Sequence, residues 1–186
     1  MPRQDRGWRP RFMTGRFDDE PPYAFVPGGP FPHPIGSPEG HMAGRSEPKP
    51  GPIEGDEWER SPSYLGGFRL FNAGYYWEAH EAWEGLWHAH GRRGPVAELL
   101  KGLIKLAACG VKLRQGQRHG VVTHATRAAE SFTRVGTSHG GRFLGLDMDE
   151  LIEFAREILS RPHDGPIASG ERVARVFDRE IRPKRA

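Results

Sequence analysis

One segment concentrates the side chains that can do chemistry. Residues 75–90 read YYWEAHEAWEGLWHAH, with three tryptophans, two tyrosines, three glutamates and three histidines in little more than four turns. Residues of a helix follow one another at about 100°. One arc therefore holds Tyr75, Ala79, Ala82, Trp83, Leu86 and Trp87, and His80 lies at its edge beside Trp87. Glu84 stands one turn above His80 on the same face, Glu78 falls on the opposite edge, and Glu81 points outward with Trp77 and His88. A His and a Glu at i and i+4 can reach one divalent ion, Zn²⁺ or Mn²⁺. In that reading His80 and Glu84 are metal ligands, Glu81 stands with them, and Glu78 and Glu81 are the carboxylates available for catalysis. Two ligands do not make a site, and the further one is expected from His124 or from the upstream histidines His33 and His41. The plainer reading makes the tryptophans core and His80–Glu84 an exposed pair worth about 0.3–0.5 kcal/mol.

Around this helix Asn72, Tyr76, Trp83, Trp87, Lys101 and Lys105 are the candidates for a tryptophan-walled groove that takes a small molecule or a peptide. Lys101, Lys105 and Lys112 share a narrow polar stripe, read either as a cationic face or as solvated partners of Glu98 and Glu81. Cys109, the one cysteine, sits in an apolar run and is expected to be a small buried hydrophobe. His88, His90, His119 and His139 fall near helix ends and turns. No glycine-rich phosphate loop, Ser/His/Asp order or dinucleotide fingerprint is present, and a single cysteine excludes both a disulfide framework and a cysteine-based zinc site.

The elements that must position these groups are helical. Ser61 is a natural N-cap with Pro62 behind it, opening a first helix that reaches about Asn72 and closes at Gly74. The second is the segment above, ended by Gly91 to Gly94. Pro95 opens a third, to about Arg114, whose Leu99, Leu100, Leu103, Ile104, Leu106, Ala107 and Val111 cover so broad an arc that it should be central. A fourth runs from about Gly120 to Val135. Asp147 and Glu150 form a capping box for a fifth, stopped at Pro162. Short connections make sequential helices neighbours, so the expected class is all-α, a bundle of about five helices over residues 58–162. No strand signal of comparable strength appears.

Before the bundle lies a proline- and glycine-rich arm, residues 1–57, holding twelve of the 17 prolines and nine of the 25 glycines. Such a stretch forbids long helices and central strands. Tyr23, Phe25, Val26, Phe31 and Ile35 recur among the prolines, so residues 21–42 are expected to dock along the Trp-rich helix, in cis or on a second copy, while residues 1–15 stay loose. After the bundle, residues 163–186 form a basic tail. The net charge of +3 is modest, no nucleic-acid reading motif accompanies it, and the tail is expected to be solvated. No stretch approaches the roughly 18 apolar residues of a membrane span, and no secretory leader is recognisable, so a reducing cytoplasm is the expected compartment. The oligomeric state stays open.

The run FNAGYYWEAHEAWEGLW, followed by ELLKGLIKLAACGVKLRQG and a helix of the HATRAAESF type, resembles the domain-of-unknown-function family numbered 309 over about residues 64 to 136. Members are small all-α bacterial and archaeal proteins. The pattern maps onto Asn72, Gly74, Glu78, His80, Glu81, Trp83, Glu84 and Trp87. The resemblance implies an α-hairpin arrangement, for which N-x-G-x-Y-x-E-A resembles a tetratricopeptide turn. It also brings the label of a predicted metal-dependent hydrolase. Lys105 stands where members often carry glutamine. The arm is similar to an extension found in part of the family. Two functions follow as expectations: a metal-dependent hydrolase of a small substrate, or a non-catalytic helical module with a Trp-lined groove.

Overall fold

The computed structural model describes residues 20–45, 48–161 and 164–185. Among the described residues a 3₁₀ turn at Trp58–Arg60 leads into five α-helices: α1 (Pro62–Ala73), α2 (Tyr76–Ala89), α3 (Gly94–Gln115), α4 (Arg118–His139) and α5 (Met148–Ser160). Each helix packs on the next in sequence. The expected residues cap them. The Ser61 hydroxyl accepts from Tyr64 N–H with Pro62 behind it, and Gly74 closes α1 in the left-handed region at φ 96°. The Asp147 carboxylate accepts from the amides of Asp149 and Glu150. Expected and observed helices differ by only a few residues at their ends. The largest difference is α4, which runs on to a left-handed cap at Gly140. Pro162, the expected stop of α5, lies outside the described residues, as do residues 1–15.

A feature absent from the sequence reading is a two-residue antiparallel ladder, β1 (Arg142–Phe143) with β2 (Leu146–Asp147). Leu144 and Gly145 both take positive φ, 45° and 79°, the backbone twist that two-residue hairpins favour.

The core lies around α3, from which Leu99, Leu100, Leu103, Leu106, Ala107 and Cys109 are fully buried. Two glycines set helix spacing. A Cβ on Gly67 of α1 would lie 2.2 Å from Nε1 of Trp83, and one on Gly110 of α3 would lie 2.4 Å from Cγ of Tyr76. Both rings therefore rest directly on the backbone of a neighbouring helix.

Both flanking segments join this core. In the arm Tyr23, Ala24 and Phe25 are buried. The Ala24 amide donates to the Arg172 carbonyl at 2.7 Å, Tyr75 O–H to Pro21 O at 2.9 Å, and Gln115 Nε2 to Pro27 O at 2.8 Å. Further on, the Ile53 amide donates to His90 Nε2 on α2 at 2.9 Å.

The C-terminal segment corrects the expectation of a solvated tail. Ala174, Phe177 and Ile181 are buried, and the Phe177 ring stacks on Phe71 at 5.5 Å, between Tyr76 and Phe154. Four of its arginines are paired. Arg179 meets Glu153 and Glu157, Arg175 and Arg182 meet Glu180, and Arg185 meets Glu59. Charge density hid the sparse apolar positions that decide where this segment lies.

Candidate metal centre

The middle turns of α2 present the one group of convergent ligand-type atoms among the described residues. One donor atom each from His80, Glu81 and Glu84 lies within 4.8 Å of the others. His80 Nε2 is 3.7 Å from Glu84 Oε2, and the side chains are 24% and 39% exposed. The i, i+4 spacing puts His80 and Glu84 on one face, and the long Glu81 side chain reaches round to them from its outward position. Donor–metal distances near 2.0–2.2 Å place neighbouring ligands about 3 Å apart. Small side-chain rotations would therefore bring this N,O,O set onto one ion. Imidazole with two carboxylates suits Zn²⁺ or Mn²⁺.

An aromatic stack connects this face to the arm. The Trp77 indole lies nearly parallel to the His80 ring, 6.1 Å away with planes at 12°. Phe25 and His33 meet the same indole edge-on at 5.0 and 5.8 Å. Sequence reasoning turned Trp77 to solvent; the arm covers it. The only sequence signal for its place beside His80 was the i, i+3 spacing.

The ligands expected from elsewhere do not arrive. Trp77 stands between His33 and His80, and His33 Nδ1 already accepts the amides of Ile35 and Gly36. His41 packs edge-on to Tyr23. His124 of α4 is outside the convergent group. Burial, then the charges of Lys105, Lys112, Arg127 and His80, push its pKa down to about 4, and its Nδ1 is buried without a hydrogen-bond partner. This imidazole is neutral at pH 7. Lys105, half-buried on α3, contributes to its field, so a cationic strip runs from α3 to α4 beside His80.

Glu78 is not a solvent-facing carboxylate. It is 2% exposed, and its Oε1 accepts the Phe25 amide at 2.9 Å, so it anchors the arm. The helical wheel set it at an edge of the buried face, and the arm closes over that edge.

The six groove positions do not line one groove. Asn72 clamps Ile181, accepting its N–H and donating to its C=O, both at 2.9 Å. The Tyr76 hydroxyl accepts the Val176 amide at 2.8 Å. Trp83 is fully buried and donates from Nε1 to Tyr64 O at 3.2 Å. Trp87 is half-buried beneath the Arg92 guanidinium, 5.2 Å away. Lys101 pairs with Glu98 at 3.7 Å, and Lys105 adds to the positive field at His124. The protein's own C-terminal segment takes up the polar groups of Asn72 and Tyr76. Cys109 is buried, its thiol raised by that burial, as expected of a structural cysteine.

Residues 64–124 fit the model of a domain of unknown function, DUF309, a span that runs from the first turn of α1 through α2 and α3 to His124 of α4. No curated protein and no solved structure matches the chain.

Proposed function

In a chain whose residues 64–124 fit the DUF309 model, we propose that the partly exposed turn of α2 binds one divalent cation, and that the bound ion serves hydrolysis of a small substrate. The observation that carries this reading is the convergence of His80, Glu81 and Glu84 within 4.8 Å. His80 offers its Nε2 lone pair, and Glu81 and Glu84 one carboxylate oxygen each, neutralising a dication. Three protein ligands leave coordination positions open, and a cation held so supplies Lewis acidity and lowers the pKa of water. The Trp77 indole fixes the plane of the His80 ring from one side. Lys105, Arg127 and neutral His124 give the neighbouring surface a positive bias with one uncharged imidazole, suited to hold an anionic substrate group beside the carboxylates. No helix among the described residues is long and apolar enough to cross a bilayer.

Thermal melts with Zn²⁺ and Mn²⁺ test the reading, because an ion bound only by the folded state raises Tm by mass action. His80→Ala is expected to abolish the rise while leaving the metal-free melt almost unchanged, since the ring is partly exposed. Ion-dependent turnover of chromogenic p-nitrophenyl esters or phosphoesters, lost in the same variant, tests the hydrolytic half. Melts indifferent to both ions would overturn the proposal.

A further inference from the structure

A cavity lies away from α2, where three segments meet. It has a volume of about 360 Å³, within the usual range for small-molecule sites. Its walls are the arm turn from Val26 to Phe31, the end of α3 with the α3–α4 turn, and Pro166 and Ser169 of the C-terminal segment. Arg114 lines it, 4% exposed. Its Nη2 donates to the carbonyls of Ala168 and Glu171 at 2.9 and 2.7 Å, while Nε and Nη1 are buried with no hydrogen-bond partner. A buried cation with donors left over is costly unless an acceptor meets it.

Three independent features give the cavity the same sign. None of its described lining residues is acidic. Lys112 stands beside it and spends its ammonium on two neutral acceptors, Gln115 Oε1 at 2.9 Å and Gln117 Oε1 at 2.7 Å. Neither Arg114 nor Lys112 has a carboxylate within ion-pair distance among the described residues. Glu171 and Glu78 act on Arg114 only from a distance, and burial outweighs them, lowering its pKa. Finally, Gln117 is the N-cap of α4 and gives that helix no side-chain cap, so the positive end of a 22-residue helix opens at the rim. With its oxygen held by Lys112, the Gln117 carboxamide still has its N–H donors to offer, and Ser169 contributes a hydroxyl to the same lining.

We infer that this cavity binds the anionic group of a small molecule, a phosphate or a carboxylate, between the arm, the α3–α4 turn and the C-terminal segment. The anion supplies the counter-charge that Arg114 and Lys112 lack. Its binding also ties together three stretches of chain that meet here through only a few hydrogen bonds.

Titration calorimetry on the full chain, in low-salt buffer free of other oxyanions, uses inorganic phosphate and malonate as probes. One saturable site is expected, weakened by added NaCl. Tighter phosphate binding identifies a phosphorylated ligand, and tighter malonate binding a carboxylate. Ser169→Asp and Gln117→Glu place a like charge at the rim on exposed side chains, and each should weaken binding by about tenfold or more. Arg114→Gln should abolish it, but that change also frees Ala168 and Glu171, so the two rim variants decide. Absence of saturable binding up to about 20 mM of either probe, a concentration well above weak millimolar sites, overturns the inference. So does an affinity that neither rim variant changes.

Discussion

Phe177→Ala asks whether the last stretch of chain is core or tail. The ring is 6% exposed and makes three aromatic contacts: stacked on Phe71 at 5.5 Å and edge-on to Tyr76 and Phe154 at 5.3 and 5.2 Å. An aromatic side chain buries about 150–250 Å², which at about 25 cal/mol per Å² gives about 4–6 kcal/mol as an upper estimate. Core Phe→Ala substitutions typically cost about 3–5 kcal/mol, so a loss near 4 kcal/mol is expected. For a chain of this size each kcal/mol lowers Tm by about 2–4 °C, giving a fall of about 8–16 °C. Urea denaturation followed by far-ultraviolet circular dichroism and by tryptophan fluorescence measures it, with m unchanged if the transition stays two-state. Arg182→Ala is the control. That side chain is 73% exposed and pairs only with Glu180, so its loss should cost less than about 1 kcal/mol. A Phe177→Ala loss below about 1 kcal/mol would mean that the segment contributes nothing to the core and that the reasoning from its contacts is wrong.

Two further outcomes are expected. Gly67→Ala would drive a methyl to 2.2 Å from Trp83 Nε1, a ring already held by Phe68, Phe71 and its bond to Tyr64 O. Despite alanine's better helix propensity, a net loss of about 1–3 kcal/mol should appear in the same urea titration; a stabilised variant would show that Trp83 has room to move. For His124 the folded pKa of about 4 lies below the unfolded value of about 6.5. The unfolded chain therefore takes up the proton first, and stability is lost as pH falls from about 6.5 towards 4. Allowing for solvent screening of a partly covered ring, the term is about 1 kcal/mol. The difference between the wild type and His124→Asn in stability across that window should show it, and parallel pH profiles would rule it out.

The helices were legible because their signals are local. Ser61–Pro62, Gly74 and Asp147 act within one turn, and the broad apolar arc of α3 needs no knowledge of its partners to be read as central. The i, i+4 relation of His80 and Glu84 was legible for the same reason. What escaped depends on chain distant in sequence. Glu78 and Trp77 look like edge and outward positions on a wheel, because the arm residue that covers both, Phe25, lies more than fifty places away. Asn72 and Tyr76 looked like ligand-binding groups, since nothing in α1 or α2 shows that the backbone at Ile181 and Val176 will use their hydrogen bonds. The tail was read by its charge, and Phe177 and Ile181 are too widely spaced there to register as a pattern.

The Ala24–Arg172 hydrogen bond joins the segment before the bundle to the segment after it, and both rest on side chains of α1 to α3: Asn72, Glu78, Tyr76 and Arg114. This fixes an order of assembly. The helices can form from contacts between sequence neighbours, which close cheaply and early. The arm precedes the helices in the chain yet has no surface to lie on until α2 exists. Its bond to Arg172 must wait until the segment beyond α5 has been made. The bundle should therefore appear as the fast phase of refolding, and the docking of the two flanks, reported by quenching at Trp77, as a later one.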